Sequence, residues 1–174
     1  LYGSWSDTAI VCRVPAAMLG ESEVRVTTPG GTSGGVPFGI TAPALTWYLA
    51  EGSTAGGMET FILVQNPGDA PAQVTLSFLT AEGERPGPGA TLAPGTRRTF
   101  KANDYVNSYD VSTRVESDQP VVAERAMYGN SRAWAHGSIG ITAPAPTWSL
   151  AEGSTAGGME PFILVQKPGD DPAQ

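Results

Sequence analysis

An internal repeat constrains the fold of this chain more than any other feature. Residues 39–73 return almost unchanged as residues 140–174, an offset of 101 residues. Five of the 35 aligned positions differ: Leu45/Pro146, Tyr48/Ser149, Thr60/Pro161, Asn66/Lys167 and Ala70/Asp171. Solenoid and propeller repeats run to roughly 20 to 50 residues, so this period matches a whole small domain. We therefore expect a complete domain at 41–141, which we call the bead, and the N-terminal third of a second copy at 142–174.

The composition favours short strands and many turns. Gly (22) and Pro (15) make up about a fifth of the 174 residues without a three-residue period, which excludes collagen. The net charge of −7, with Lys101 and Lys167 as the only lysines, repels a phosphate backbone. We therefore expect no nucleic acid as a partner. Insertion into a membrane is not expected either, because no stretch approaches the roughly 20 apolar residues that span a bilayer.

Residues 1–40 are predicted to hold the last strands of a separate module. Apolar and polar residues alternate at 8–14, 22–28 and 35–40, and the glycines of 29–35 favour a tight turn between the last two. The string WSDTAIVCRVPAAMLGESEVRVTTPGGTSGGVPFGI resembles the C-terminal part of an IPT/TIG domain, whose fold is immunoglobulin-like. The resemblance implies an extracellular or linker-type β-sandwich.

No catalytic constellation is predicted. Gly31–Gly35 fits the G-x-S-x-G pattern, but a nucleophile elbow needs a following helix, and the only histidine, His136, lies about a hundred residues away. Cys12 stands alone in an alternating run and is predicted to be a buried apolar group. We therefore predict that the chain is not an enzyme and uses neither a cofactor nor a metal.

The bead itself is predicted to contain about seven short strands separated by turns. They are placed at 47–51, 59–66, 72–80, 96–102, 111–117, 119–129 and 137–141. The last strong pair is expected between 111–117 and 119–129. The segments 41–45 and 81–95 are predicted as a linker and a loop. This spacing favours an all-β, immunoglobulin-like antiparallel β-sandwich.

Two of these strands carry distinct burial patterns. The continuous apolar run of 61–64 predicts a strand covered on both faces, in the centre of the sandwich or against a neighbouring bead. In 72–80, Val74, Leu76 and Phe78 are predicted to face inward, while Thr75 and Ser77 face outward.

Charges within apolar strands need partners. Glu124 and Arg125 stand on opposite faces of 119–129, and we expect one of them to pair with Arg114, Glu116 or Glu51. A second cluster, formed by Arg97, Arg98 and Lys101, is predicted to be a solvated edge that discourages strand addition.

Three aromatic residues are candidates for a ligand-binding surface. Tyr105 and Tyr109 fall in a turn-rich segment, and Trp134 is predicted to lie in a loop with His136. Exposed rings of this kind stack on sugars. The structural alternative is that the tyrosines close one end of the sandwich and that His136 is a hydrogen-bonding loop residue.

Residues 41–174 resemble the tandem repeats of large secreted or surface-anchored bacterial proteins. The resemblance rests on TW-x-LAEGST-x-GG-x-E-x-FILVQNPGDAPAQVTLSFLT, VESDQPVVAERAMYGN and HGSIGITAP. It implies immunoglobulin-like beads in a multi-domain exported protein, extracellular or at the cell surface, and it supplies no catalytic residue.

Two functions follow as hypotheses. The first is a structural or adhesive spacer whose partners are the neighbouring domains of the same protein, a surface protein or a polysaccharide. The alternative is a carbohydrate-binding module that uses exposed aromatic residues. The partial copy at 142–174 is expected to pack against the first bead, to pair with another chain or to exchange a strand with it.

Overall fold

The computed structural model describes residues 2–5, 10–12, 20–40, 42–150, 153–158 and 160–169. These residues divide into two compact units, with the boundary between Ala42 and Pro43. Antiparallel strands build both units, and among the described residues the only helix is a 3-10 turn at Ala102–Asp104. The predicted all-β class is therefore confirmed. Within the described ranges, no helix has the length and apolar character needed to cross a membrane.

Within its described residues, the first unit contains three two-stranded sheets. Strand β1 (Tyr2–Trp5) pairs with β2 (Ile10–Cys12), β3 (Gly20–Val24) with β6 (Val36–Ile40), and β4 (Thr27–Thr28) with β5 (Gly31–Thr32). The β4–β5 turn begins the glycine-rich segment predicted as a connection. The side chain of Cys12, predicted to be buried, lies outside the side chains that the structure describes.

In the part of the second unit that the structure describes there are seven strands. They are β7 (Ala44–Leu49), β8 (Glu59–Gln65), β9 (Ala72–Thr80), β10 (Gly83–Leu92), β11 (Arg97–Lys101), β12 (Val111–Gly129) and β13 (Trp134–Ile139). Every pairing is antiparallel, and the strands form a curled sandwich. Because β7 already begins at Ala44, the predicted linker at 41–45 is shorter than expected.

Strand β12 belongs to both layers of this sandwich. Its residues 111–117 pair with β9, and β7 pairs on the other side; its residues 122–128 pair with β8 and, from 124, with β13. We call the layer β10–β9–β12–β7 sheet 1 and the layer β11–β8–β12–β13 sheet 2. The prediction that 111–117 pairs with 119–129 is wrong, because each half of this 19-residue strand is the central partner of a different sheet.

The core lies between the two sheets and is built by alternate residues. In β9, Val74, Leu76 and Phe78 are at most 1% exposed, as predicted, and Thr75 faces solvent. This alternation is that of an antiparallel strand with one covered face.

The apolar run of β8 is fully covered on one face only. Ile62 and Val64 are 0% exposed in the core, whereas Phe61 and Leu63 on the outer face are half-buried. The prediction that both faces of this strand are covered holds fully for the inner face and partly for the outer face, because sheet 2 lies at the surface of the sandwich.

The predicted loop at 81–95 is wrong, because most of it forms strand β10. This strand lies at the edge of sheet 1, where Pro86 needs no ladder partner on its outer side, and a bulge between Pro86 and Gly89 interrupts the register. A Cβ atom at Gly87 would lie 2.7 Å from the carbonyl oxygen of Leu76, so glycine is required there. Prolines and glycines thus shape an edge strand that their composition made resemble a loop.

The end of the repeat is fastened to its beginning. Ile141 and Tyr48 exchange two backbone hydrogen bonds of 2.8 and 2.9 Å, next to the end of β13. Ala44 and Tyr48 are four residues apart on β7, which corresponds to about 13 Å. Because this bridge is antiparallel, the chain leaves Ile141 toward the same end of β7 at which it entered.

Candidate functional site

One end of the sandwich brings together the loops that carry most of the predicted site residues. We call it the loop end, and it comprises residues 50–58, 81–82, 102–110 and 130–133. Strand β12 begins and ends here, since it descends through sheet 1 and returns through sheet 2. All three candidate aromatic residues lie at this end.

The loop end is held by a network of internal hydrogen bonds. The amide of Thr54 donates to the carbonyl of Ser108 at 2.9 Å, and the amide of Ser108 donates to the Thr54 hydroxyl at 3.0 Å. The Asn103 side chain accepts from the amide of Thr60 at 3.0 Å and donates to the carbonyl of Met58 at 2.8 Å. The segment 52–57 is therefore hydrogen-bonded into the fold.

Tyr105 and Tyr109 each pack against the bead and are also exposed to solvent. The ring of Tyr105 stacks on the core residue Phe78 with centroids 6.0 Å apart, and Tyr105 remains 50% exposed. Tyr109 is 63% exposed and lies so close to Gly56 that a Cβ there would be 2.7 Å from its hydroxyl. Gly56 also has a φ of 62°, so the close approach and the backbone both select glycine.

Trp134 and His136 lie in strand β13, not in the predicted loop. The turn before them is 130–133, in which Asn130, Ser131 and Arg132 all have positive φ. The indole of Trp134 covers Gly129 directly across the strand pair, where a Cβ would be 2.0 Å from the ring. Such cross-strand covering of a glycine stabilises a sheet edge. The ring is still 43% exposed.

A cluster on the outer face of sheet 2 was not predicted from the sequence. Glu59 accepts from Arg132 Nε at 2.6 Å and from Lys101 Nζ at 2.8 Å. Phe61 and Tyr128 meet edge to face at 5.8 Å, and the Arg132 guanidinium lies 5.7 Å from the centre of the Tyr128 ring. Cation and ring attract each other in this geometry. Only the strand register reveals the cluster, because its members are far apart in sequence.

The charges of this cluster shift each other's protonation. Hydrogen bonds from Arg132 and then Lys101 lower the pKa of Glu59 from 4.5 to about 2. The hydrogen bond to Glu59 in turn raises the pKa of Arg132. The carboxylate is therefore ionised at neutral pH and is engaged by two cations.

A second charged group fills the seam between β7 and β13. Arg125 is 2% exposed, and its Nη2 contacts Glu51 Oε2 at 2.5 Å and His136 Nδ1 at 2.8 Å. Burial lowers the pKa of Arg125, and the charge of Glu51 opposes this shift. Because a guanidinium can only donate, Nδ1 of His136 accepts here. The structure thus pairs Arg125 with Glu51.

The other predicted charged residues occupy the surface. Arg114 contacts Glu84 at 2.7 Å and Glu116 at 3.2 Å, while Glu124 is exposed on the outer face of β12. Arg97 and Arg98 lie on β11, the edge strand of sheet 2. Positive charge at such an edge opposes the addition of a further strand.

Ser33, the serine of the G-x-S-x-G string, has a local role. Its hydroxyl accepts from the amide of Val26 at 3.0 Å and donates to the carbonyl of Gly34 at 2.9 Å. The residues that follow form strand β6, so the strand-to-helix turn of a nucleophile elbow is not present at this position. Within the described ranges, no cluster of three His, Cys, Asp or Glu residues is arranged to hold a metal ion.

Comparison with known proteins gives distant similarity in structure only. No protein-family model matches the chain, and no curated protein is similar to it. The Thermotoga maritima protein 1070 has a TM-score of 0.52 and 17% identity, over 57% of this chain and 94% of its own. The Anabaena sensory rhodopsin transducer has a TM-score of 0.43 and 20% identity, over 49% of this chain and 98% of its own. The first similarity supports the fold alone, so function has to be argued from the residues.

Proposed function

We propose that this chain is a non-catalytic structural or adhesive module, a spacer or protein-interaction bead of a multi-domain extracellular or cell-surface protein. The observation that carries the proposal is the closure of the bead on itself. One sequence period of 101 residues coincides with one sandwich, and the Ile141–Tyr48 bridge closes that sandwich immediately before the second TAPA string. A unit that closes in this way can be repeated without changing its core.

The polar groups at the loop end support a structural role. The side chains of Asn103 and Thr54 form hydrogen bonds with neighbouring backbone groups, and Arg125 forms an ion pair with Glu51. Groups that are already paired bind a ligand only after those bonds are broken, which costs free energy. A rigid end of this kind suits a bead more than a reactive cleft.

A tandem series of such beads has a preferred arrangement. The chain enters at Ala44 and leaves after Ile141, which lies beside Tyr48 on the same strand. The chain therefore enters and leaves the bead at one edge, so the next bead begins beside the first. The proline of each TAPA string, Pro43 or Pro144, stiffens the joint.

Small-angle X-ray scattering on chains with one, two and three copies of residues 41–141 tests the spacer proposal. The maximum dimension is expected to rise by a constant increment with each copy, because the joints are stiff. A control series in which Pro43 of every copy is replaced by glycine should give smaller, irregular increments. Freely tumbling beads in the unmodified series would contradict the proposal.

Carbohydrate binding is the second candidate, and Trp134 is the observation that favours it. Its ring covers Gly129 and is 43% exposed, and Tyr105 and Tyr109 are exposed at the same end of the sandwich. An exposed ring with a fixed position is a suitable platform for a sugar.

A glycan array and polysaccharide pull-down test this candidate. Saturable binding that is lost in Trp134→Ala and weakened in Tyr109→Ala would place the site at the loop end. Trp148→Ala is the matched control, because Trp148 is 56% exposed but lies in the second copy. No binding across the panel would exclude the lectin-like function for these glycans.

A further inference from the structure

The second copy contributes an apolar segment that lies against the first bead. Residues 163–167 face a shallow groove on sheet 1, lined by Ala50 and by residues 79–81 and 110–112. These groove residues lie at the loop end, where β7 and β9 finish and β12 begins. No described strand of the first bead covers this part of sheet 1, and residues of the next copy of the repeat lie against it.

The exposed fraction of the side chains alternates along the segment. Leu164 is 42% exposed, whereas its neighbours Ile163 and Val165 are 66% and 83% exposed. Gln166 is half-buried, and its Nε2 donates to the carbonyl of Thr113 at 3.5 Å. The side that carries Leu164 and Gln166 is thus the side in contact with sheet 1.

The same side faces outward in the folded bead. Leu164 and Gln166 correspond to Leu63 and Gln65 of β8, which lie opposite the buried Ile62. A second copy that folds like the first would bury Ile163 and Val165 in its own core and present Leu164 and Gln166 at its surface. The contact in the structure is therefore compatible with a folded second bead.

We propose that the outer face of sheet 1, at residues 79–81 and 110–112, is the docking surface for the following copy of the repeat. The contacting residues are Leu164 and Gln166, on the outer face of the strand that corresponds to β8. This inference rests on the proposed function as a repeated bead. The contact joins different faces of successive copies, so it is heterologous and continues along a series without closing. It also gives the outward apolar residues of β8 a role between beads.

Two sequence differences argue for docking over strand exchange. If residues 160–167 replaced β8 in another molecule, Pro161 would stand at Thr60, whose amide bonds to Asn103. Lys167 would stand at Asn66, which is 0% exposed. Both replacements remove buried hydrogen bonds, and the second also buries a charge. Docking on an outer face keeps Pro161 and Lys167 within the second copy, so neither has to replace Thr60 or Asn66 among the partners of the first bead.

Disulfide trapping tests the contact in the full chain, after Cys12→Ser removes the native thiol. The variant Ser112→Cys/Leu164→Cys is expected to close a disulfide within one molecule about tenfold faster, or more, than its control, because docking raises the effective concentration of the two thiols. The control is Thr75→Cys/Leu164→Cys, since Thr75 lies on the same face of sheet 1, opposite Glu116 and away from the loop end. Equal rates, or disulfides that form only between molecules, would overturn the proposal.

Chymotrypsin cleavage after Phe162 gives a second measurement that needs no cysteine. Leu79→Asp should increase the cleavage rate by undocking the segment, whereas Thr75→Asp should leave it unchanged. An unchanged rate in Leu79→Asp would also overturn the proposal. Neither readout depends on scattering or on glycan binding, so this inference and the spacer proposal fail independently.

Discussion

The pentapeptide FILVQ occurs twice in this protein, in two different environments. At 61–65 it is part of β8, flanked by β11 and β12, and Ile62 and Val64 are 0% exposed. At 162–166 the same five residues form no strand, and Ile163 and Val165 are 66% and 83% exposed. An apolar β-branched run therefore becomes a strand through its neighbours, because its backbone groups and side chains need partners that local sequence cannot supply.

The largest difference in unfolding free energy is expected between alanine substitutions of Ile62 and of Ile163, its counterpart in the second copy. Ile62→Ala should lower the free energy of unfolding by about 2 to 5 kcal/mol, because it leaves a cavity in the core. Ile163→Ala should change it by less than about 0.5 kcal/mol, as exposed substitutions do. Urea unfolding followed by circular dichroism measures both. Equal losses would mean that residues 162–166 are packed as tightly as β8.

Exchanging the differing residues sharpens the comparison. Asn66 donates to the carbonyls of Ala70 and Leu92 at 2.7 and 3.1 Å and accepts from the amide of Gly68 at 3.0 Å. Asn66→Lys should therefore cost about 2 to 3 kcal/mol of unfolding free energy. The reciprocal Lys167→Asn should be neutral within about 0.5 kcal/mol, because Lys167 is exposed. If Asn66→Lys left the unfolding free energy unchanged, the lysine side chain would have to reach solvent.

The pH dependence of the unfolding free energy should differ between variants of Glu59 and of Glu160, its counterpart in the second copy. The pKa of Glu59 falls from 4.5 to about 2 on folding, so the unfolded chain takes up this proton first. The stability that Glu59 contributes is complete above about pH 4.5 and is lost as the pH falls toward 2. In Glu59→Gln, the unfolding free energy should depend less on pH in this window. Glu160→Gln should leave the profile unchanged, and identical profiles for both variants would contradict the ion pairs of Glu59.

The smallest effect is expected at the paired tryptophans. Trp47 is 0% exposed and donates from Nε1 to the carbonyl of Val121 at 2.8 Å, whereas Trp148 is 56% exposed. Trp148→Phe should reduce quenching of the fluorescence by acrylamide and change the unfolding free energy by less than about 0.5 kcal/mol. If quenching did not change, Trp148 would be covered in solution.

Several strands could be predicted from the sequence because their signal is local. The alternation of 72–80 places Val74, Leu76 and Phe78 inward, and a period of two is sufficient for that inference. The strand β10 was missed because its prolines and glycines indicate a loop unless an edge position is known. The extent of β12 was missed because Asp118 and Pro120 resemble a turn, whereas the strand continues through them from sheet 1 into sheet 2.

The candidate site was predictable only as a set of residue types. The sequence indicates that Glu124 or Arg125 needs a partner, and it leaves Arg114, Glu116 and Glu51 as candidates. The structure pairs Arg125 with Glu51, 74 residues away, because β12 and the end of β7 meet at the seam. The Glu59 cluster had no signal in the sequence, since Arg132 reaches it only through the positive-φ turn after β12.

The repeat, its period of 101 residues and the all-β class can be inferred from the sequence, because periodicity and composition are properties of the chain. Three features become visible only in the folded protein: which FILVQ is a core strand, how two sheets share β12, and which charges pair. Those outcomes depend on which segments compete for the same neighbours, and that competition is settled by packing and hydrogen bonding across the whole bead.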